Sequence, residues 1–429
     1  MTSIPDTGIR LSGQHARCGV LAVAAVVLAL QTAPASAQDT RAGETVLERT
    51  RPELDPQGTP VGAFRLYPRI GVGFLADSNI FATDDFEVDD LIFIVKPELI
   101  LESNWSRNAL ELGFDWTAGR YFDVDTENYD DWRIWADGTV DIGRGELTGF
   151  LRHADLHEPR TSPDNRRGIE PTTYTSDELR IGFGQPFGQF TGRFEVVQRS
   201  LSYDDTRTLV GTIDNADRDR DRSDLILRVG HKTAPTLQPF AQLRVTEVDY
   251  DEPVDRNGFE RSSDGFDLVF GTDIDLSGRT FGEAYLGYVS RDYDDPRFAK
   301  VDGPIFGAEI TWNITGLTTM SLAADRRIDG TTIVGAAGIL NTEFGFEVNH
   351  ELLRNLIVSL DLGVSNEDFE GIDRDDDLFR AGIDALYLMN RYLRVRVGYL
   401  YRTRDTSPAN SGGFEYRINQ FFIGIEGQI

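Results

Sequence analysis

The chain has 429 residues, with 71 acidic against 43 basic side chains and a formal net charge of −28 at pH 7. That surplus argues against nucleic acid as a partner, because a duplex-binding surface has to neutralise phosphates with lysine and arginine. The single cysteine, Cys18, lies close to the N-terminus, so disulfides and cysteine-based metal sites or catalysis are not expected in the rest of the chain.

In chain order, the first element is an address. Arg10 and Arg17 precede an apolar run from Gly19 to Leu30, and Ala35-Ser36-Ala37 follows it. A charged start, a short apolar stretch and a small-residue cleavage signal predict a signal peptide over residues 1–37. The run is short for a transmembrane helix, which makes a retained anchor the weaker alternative. Cys18 precedes the run and is not a lipoprotein cysteine. Residues 38–62 show no alternation and several turn-formers, and read as a flexible periplasmic arm or a plug.

From residue 63 to 429 a period of two recurs. Leu110, Leu112, Phe114 and Trp116 alternate with Glu111, Gly113, Asp115 and Thr117. Leu356 to Val364 and Leu393 to Tyr399 repeat the pattern, which is that of half-buried strands. No other stretch approaches the roughly 18 apolar residues of a membrane-spanning helix. Eight short connections, near 104–108, 143–145, 186–188, 233–236, 277–279, 313–316, 351–355 and 389–391, alternate with longer polar ones. The nine long ones fall near 76–90, 122–129, 156–173, 204–222, 250–263, 292–303, 327–336, 366–377 and 403–413.

This predicts an all-β fold, an antiparallel transmembrane β-barrel of about 18 strands with short periplasmic turns and long extracellular loops. A soluble sandwich or propeller also alternates. Three features favour the membrane. Charges stand in mid-strand, the long and short connections alternate along the whole chain, and aromatics such as Trp132, Trp312, Tyr387 and Tyr392 gather near strand ends. The last strand alternates Phe421, Ile423, Ile425 and Ile429 with polar or small residues and is expected to close onto the strand around Leu66–Phe74.

The N-terminal part of the predicted mature chain carries Arg51-Pro52, Asp55-Pro56-x-Gly58, a Gly62-x-Phe64-x-Leu66-x-Pro68 strand, an Asp77-Ser78-Asn79-Ile80-Phe81 loop, and Pro97-Glu98-Leu99 before Trp105. Over roughly residues 49–116 this resembles the outer-membrane beta-barrel porins of type 2. The resemblance implies a barrel of the Gram-negative outer membrane, in many cases associated with exopolysaccharide or capsule secretion. The partners it implies are outer-membrane lipid and lipopolysaccharide, the insertion machinery, and periplasmic polysaccharide-export components. The alternating C-terminal strand is similar to the signal that the insertion machinery reads, although such signals usually finish on Phe or Trp and this one on Ile429.

Catalysis finds little support. His153 and His157 flank a strand end and a loop, where a four-residue spacing does not bring two ligands together as one turn of a helix would. No local serine–histidine signature accompanies them. Acid-rich loops such as 212–224 interleave carboxylates with arginines and fit no calcium loop. No enzyme activity, cofactor or metal is therefore expected. The informative surface is the inward one, with Arg69, Arg133, Arg180, Arg193, Arg228, Arg244, Arg394 and Arg396 facing Glu98, Glu195, Asp267, Glu343 and Glu347. Such charges can pair across strands and line a wet channel at once. Tyr67, Trp135, Phe150, Tyr285 and Phe422 point the same way and could serve a saccharide. The function expected is a channel for hydrophilic solutes that takes part in exopolysaccharide export. A general diffusion porin and a closed-lumen structural or adhesive protein are the alternatives.

Overall fold

A computed structural model describes residues 43–276, 278–408 and 411–429, so the expected signal peptide lies outside the described residues. Eighteen long strands follow one another: β1 (Phe64–Asp77), β2 (Asp90–Ser103), β3 (Ala109–Tyr121), β4 (Tyr129–Asp141), β5 (Glu146–His157) and β6 (Thr173–Phe187). Next come β7 (Phe190–Tyr203), β8 (Arg220–His231), β9 (Leu237–Tyr250), β10 (Ser263–Leu276), β11 (Thr280–Tyr293) and β12 (Val301–Thr315). The last six are β13 (Thr318–Asp329), β14 (Gly338–Leu353), β15 (Leu356–Glu370), β16 (Asp375–Asn390), β17 (Leu393–Ser407) and β18 (Tyr416–Gln428).

Each strand pairs antiparallel with the next, and β18 pairs with β1 from Arg69–Gln428 to Asp77–Gln420. The sheet is therefore closed, the only way a sheet can stand in hydrocarbon without unsatisfied edge groups. Short and long connections alternate as the sequence pattern predicts. One departs from expectation. Between β15 and β16 only residues 371–374 lie outside the strands, because Asn366, Asp368, Asp375 and Asp377 continue the ladder instead of leaving it. Polar residues can extend a sheet once it has risen out of lipid.

Exposure locates the membrane. Ile70, Val72 and Phe74 of β1, Leu225, Leu227 and Val229 of β8, and Phe421, Ile423 and Ile425 of β18 are exposed on the outer face. Towards the short turns this apolar band continues to the strand ends, with Phe187, Phe190, Trp312, Leu353, Tyr392 and Ile429 all exposed. Towards the long loops it stops early. On β9 the outward series Leu243 and Val245 gives way to Glu247 and Asp249, and Asp221, Asp264, Asp292, Asp377 and Asp405 are exposed on other strands. Strands of 12 to 16 residues exceed the roughly 9–11 that a tilted strand needs to cross a bilayer. The excess stands on the long-loop side.

Residues 43–62 run along the inner rim at the short-turn end. Gly43 N–H donates to the Gly278 carbonyl (2.9 Å), the Asn313 side-chain amide donates to the Glu44 carbonyl (3.0 Å), and Val46 N–H donates to Thr319 Oγ1 (2.9 Å). Arg49 and Arg51 then both reach the buried carboxylate of Glu351, at 3.1 and 2.7 Å. Arg51 also donates to the Val46 and Arg49 carbonyls, and its own N–H is held by the Asp55 carboxylate. Glu53 pairs with Arg354, and Gly58 N–H donates to the Ile429 carbonyl (3.2 Å). Gly58 has φ +64°, and a Cβ there would lie 2.7 Å from the Tyr67 ring. A short strand Thr59–Val61 then turns at Gly62 and pairs with the start of β1. The Arg51, Asp55 and Gly58 of the N-terminal motif are thus the joints of a strap across the turns of β10 to β17.

Two outcomes test this arrangement. An epitope inserted within residues 204–219 is expected to be reached by antibody on intact cells, and one within 232–236 to be reached only after the outer membrane is opened; the reverse labelling would invert the barrel. Replacing Glu351 with alanine leaves two buried guanidinium groups without their carboxylate, which costs about 3–5 kcal/mol when a buried pair is broken. Trypsin cleavage after Arg49, absent in the intact protein, should then appear, with local opening raised by about 100-fold or more.

Candidate functional site

The face opposite the exposed apolar residues carries the charges. Across the closing seam they alternate in a row: Glu98 of β2 bonds Arg69 of β1 (2.8 Å), which lies 3.6 Å from Glu426 of β18, which lies 3.5 Å from Arg394 of β17. Arg133 pairs with Asp115 (3.1 Å), Arg396 with Asp384 (2.7 Å) and Arg244 with Asp267 (3.4 Å). Arg193 pairs with Glu195 (3.2 Å), and Arg180 with Glu178 (2.9 Å) while its guanidinium lies over the Phe150 ring. Arg228 bridges Asp273 and Glu283, at 2.6 and 2.7 Å, and stacks 3.5 Å from the Phe240 ring centre. Glu343 takes Arg327 (2.7 Å), and Glu347 accepts from the Asn349 amide (2.6 Å). Cross-strand register places all of these on the lumen face.

The aromatics on this face lie against glycines. A Cβ at Gly113 would fall 2.0 Å from the Trp135 ring, and one at Gly307 would fall 2.3 Å from the Tyr285 ring. Only a residue without a side chain lets a ring settle flat on the neighbouring strand, which leaves its other face to the lumen. Trp135 is fixed further by its indole N–H to Glu111 (2.9 Å). The wall of β9 to β12 is less polar than the sequence pattern suggested. Phe240, Val269, Val289, Val301 and Ile305 form a buried cluster there with Ala337 of the 330–337 loop. Inward apolar residues are tolerated because the loop folds over them and removes them from water.

The long-loop end is narrowed by residues 158–172. Glu158 and Arg218 form a buried pair (2.5 Å), and Arg160 is bonded to Glu127 (2.9 Å). At the tip, the Asp164 carboxylate accepts from Thr331 Oγ1 (2.9 Å) and from Thr332 N–H (3.1 Å). Arg166 donates to Thr332 Oγ1 (2.8 Å), and Arg167 lies over the Phe414 ring at 4.4 Å. The loop leaves the wall at β5 and is stitched to the loop between β13 and β14, so it crosses the mouth. Beneath its tip is a cavity of about 420 Å3, walled by Tyr174, Tyr203 and Arg220 on one side and by Arg380, Arg402 and Arg404 on the other.

The loop charges are tuned by their surroundings. Burial opposes charge on Arg218, but the Glu158 carboxylate outweighs it and raises the pKa. Burial likewise raises Asp217, and the hydrogen bonds from Arg256 prevail and lower it. Arg166 and Arg167 are lowered, first by burial and then by neighbouring guanidinium groups. His153 and His157 stand at the outer rim, bonded to Asp177 (2.6 Å) and Asp131 (2.8 Å). Among the described residues no group of three or more His, Cys, Asp or Glu is arranged to hold a metal ion.

The eighteen strands thus close around an inner face lined largely by paired charges. The family described as "Putative beta-barrel porin 2" matches residues 51–429. The chain belongs to this family of outer-membrane β-barrel porins. Solved structures that the chain partly resembles include Pseudomonas aeruginosa OccK2 (OpdF) in complex with glucuronate, at 12% identity and a TM-score of 0.46, over 87% of this chain and 100% of that one. Acinetobacter baumannii OccAB3 is similar at 10% identity and a TM-score of 0.45, over 86% and 100% of the two chains. No curated protein is similar at a significant level. Family and fold point to a channel of the outer membrane and not to an enzyme.

Sequence reasoning missed the strap's grip on Glu351 and the crossing loop. Both rest on partners some 300 and 170 positions apart in the chain, which periodicity does not report. Removing residues 160–167 is expected to raise single-channel conductance in a planar bilayer by about twofold or more, since the loop is bonded across the mouth to Thr331 and Thr332. Unchanged conductance would place the constriction elsewhere.

Proposed function

We propose that this porin passes a hydrophilic, saccharide-type solute, and that the specific process it serves is export of exopolysaccharide. The observation that supports a saccharide is the set of flat lumen aromatics, above all Trp135 over Gly113 and Tyr285 over Gly307. Sugars present apolar C–H faces to such rings and hydroxyls to the paired charges beside them. The export assignment follows the resemblance of the N-terminal motif. Periplasmic export components would then meet the strap at the short-turn end, and the insertion machinery would read Phe421, Ile423, Ile425 and Ile429. Lipopolysaccharide would surround the acidic upper part of the strands.

A second reading is favoured by the mouth. A cavity of about 420 Å3 is in the range that holds one small molecule, which suits diffusion of small solutes and requires loop movement for a polymer. A strain lacking the gene separates the two. Loss of extracellular polysaccharide, with polymer retained in the envelope and restored by the intact chain, is expected for export. Unchanged secretion together with measurable conductance would leave the small-solute porin, and no conductance would leave a scaffold.

A further inference from the structure

The cavity under the 158–172 loop departs from the charge balance of the chain. Six arginines and five carboxylates line it, in a protein whose net charge is −28. Four of the arginines are committed: Arg218 to Glu158, Arg327 to Glu343, Arg380 to Asp361 and Arg404 to Glu367. Arg220 and Arg402 are different. Among the described residues neither has a carboxylate at ion-pair distance. Arg220 donates to the Arg218 carbonyl (2.9 Å) and lies 5.5 Å from the Tyr250 ring centre. Arg402 donates to the Gln420 side chain at 3.3 Å, and its Nε has no partner.

Their positions in the barrel matter as much as their charge. Arg220 begins β8 and Arg402 stands in β17, nine strands away in a ring of eighteen. They therefore face the lumen from opposite walls, at the level where the loop narrows it. The Asp164 carboxylate lines the same cavity and acts on Arg220 from a distance, but among the described residues no carboxylate is bonded to either arginine, and guanidinium groups drawn out of bulk water in this way favour an anion that enters the cavity. Beside them the rings of Tyr174 and Tyr203 stack at 5.1 Å, and Asn341 and Ser365 add polar groups suited to hydroxyls.

We propose that this cavity is the selectivity site of the channel and that it takes an acidic sugar, whose carboxylate is drawn in by the field of Arg220 on one wall and Arg402 on the other. The inference rests on the channel reading and adds the charge of the solute to it. Neutral sugars would find the hydroxyl partners but leave the two cations unmatched. Acidic sugars satisfy both.

The test is conductance of the full mature chain in a planar bilayer, with galacturonate and galactose as probes. The intact protein should favour chloride over potassium in a salt gradient. Galacturonate should occlude the current at a concentration about tenfold or more below that of galactose, as a hydrogen bond to a charged group implies. Arg220→Gln and Arg402→Gln should each remove most of that difference. Arg107→Gln, at an exposed short turn where Arg107 pairs with Asp141, changes net charge by the same amount and should leave it intact. Equal action of the two sugars on the intact protein overturns the proposal, whether or not the variants insert. So does a galacturonate preference that survives both cavity substitutions. Absence of any conductance overturns the channel reading along with it, whereas conductance without anion preference overturns this inference alone.

Discussion

Every peptide group that enters hydrocarbon must find its hydrogen-bond partner within the protein, and the architecture follows from that constraint. It forces closure, which forces β1 and β18 together although they stand at opposite ends of the strand sequence. Closure in turn divides each strand into an outward and an inward series. The outward series must be apolar only where lipid touches it. On β9 it changes from Val245 to Glu247 within two residues, which marks the upper limit of the bilayer.

The inward series solves a different problem. Charges there are too many to stand unpaired at the reduced polarity of a protein wall, so most are matched across strands. The row Glu98–Arg69–Glu426–Arg394 runs over the closing seam, where ion pairs add side-chain contacts to the backbone ladder. Hydrogen bonding and partial burial make such pairs more than surface decoration, though each also carries a desolvation cost. A wall of matched charge presents little net field to a solute. Around Arg220 and Arg402 no carboxylate among the described residues is bonded to the guanidinium groups, and that is one place where the wall can discriminate.

How much of this was legible in the sequence depended on how local the signal is. Strands were legible because alternation needs only neighbours: Leu110 to Trp116 and Leu393 to Tyr399 are read residue by residue, and both lie in strands β3 and β17. The inward charges were legible for the same reason, since parity along a strand decides the face. Two features were not. Arg51 in a turn-rich segment looks like any solvated arginine until Glu351 is found opposite it. The 158–172 loop reads as another polar connection, and nothing in its composition reports that Asp164 is held by Thr331 across the mouth. The buried apolar patch at Val289 and Ile305 is a related case, because its cover comes from the 330–337 loop.

The closing ladder has one further implication. Pairing between β1 and β2 runs the full way from Phe64–Ser103 to Asp77–Asp90, whereas pairing between β1 and β18 stops at Arg69–Gln428. Below that point the first residues of β1 are partnered by Thr59–Val61. The junction of first and last strands is thus one of the shorter zippers in the wall, comparable to that between β12 and β13, and it joins the barrel strands made earliest and latest during synthesis. Assembly of the barrel has its natural last step there: a nearly finished sheet can accept β18 by forming one abbreviated ladder.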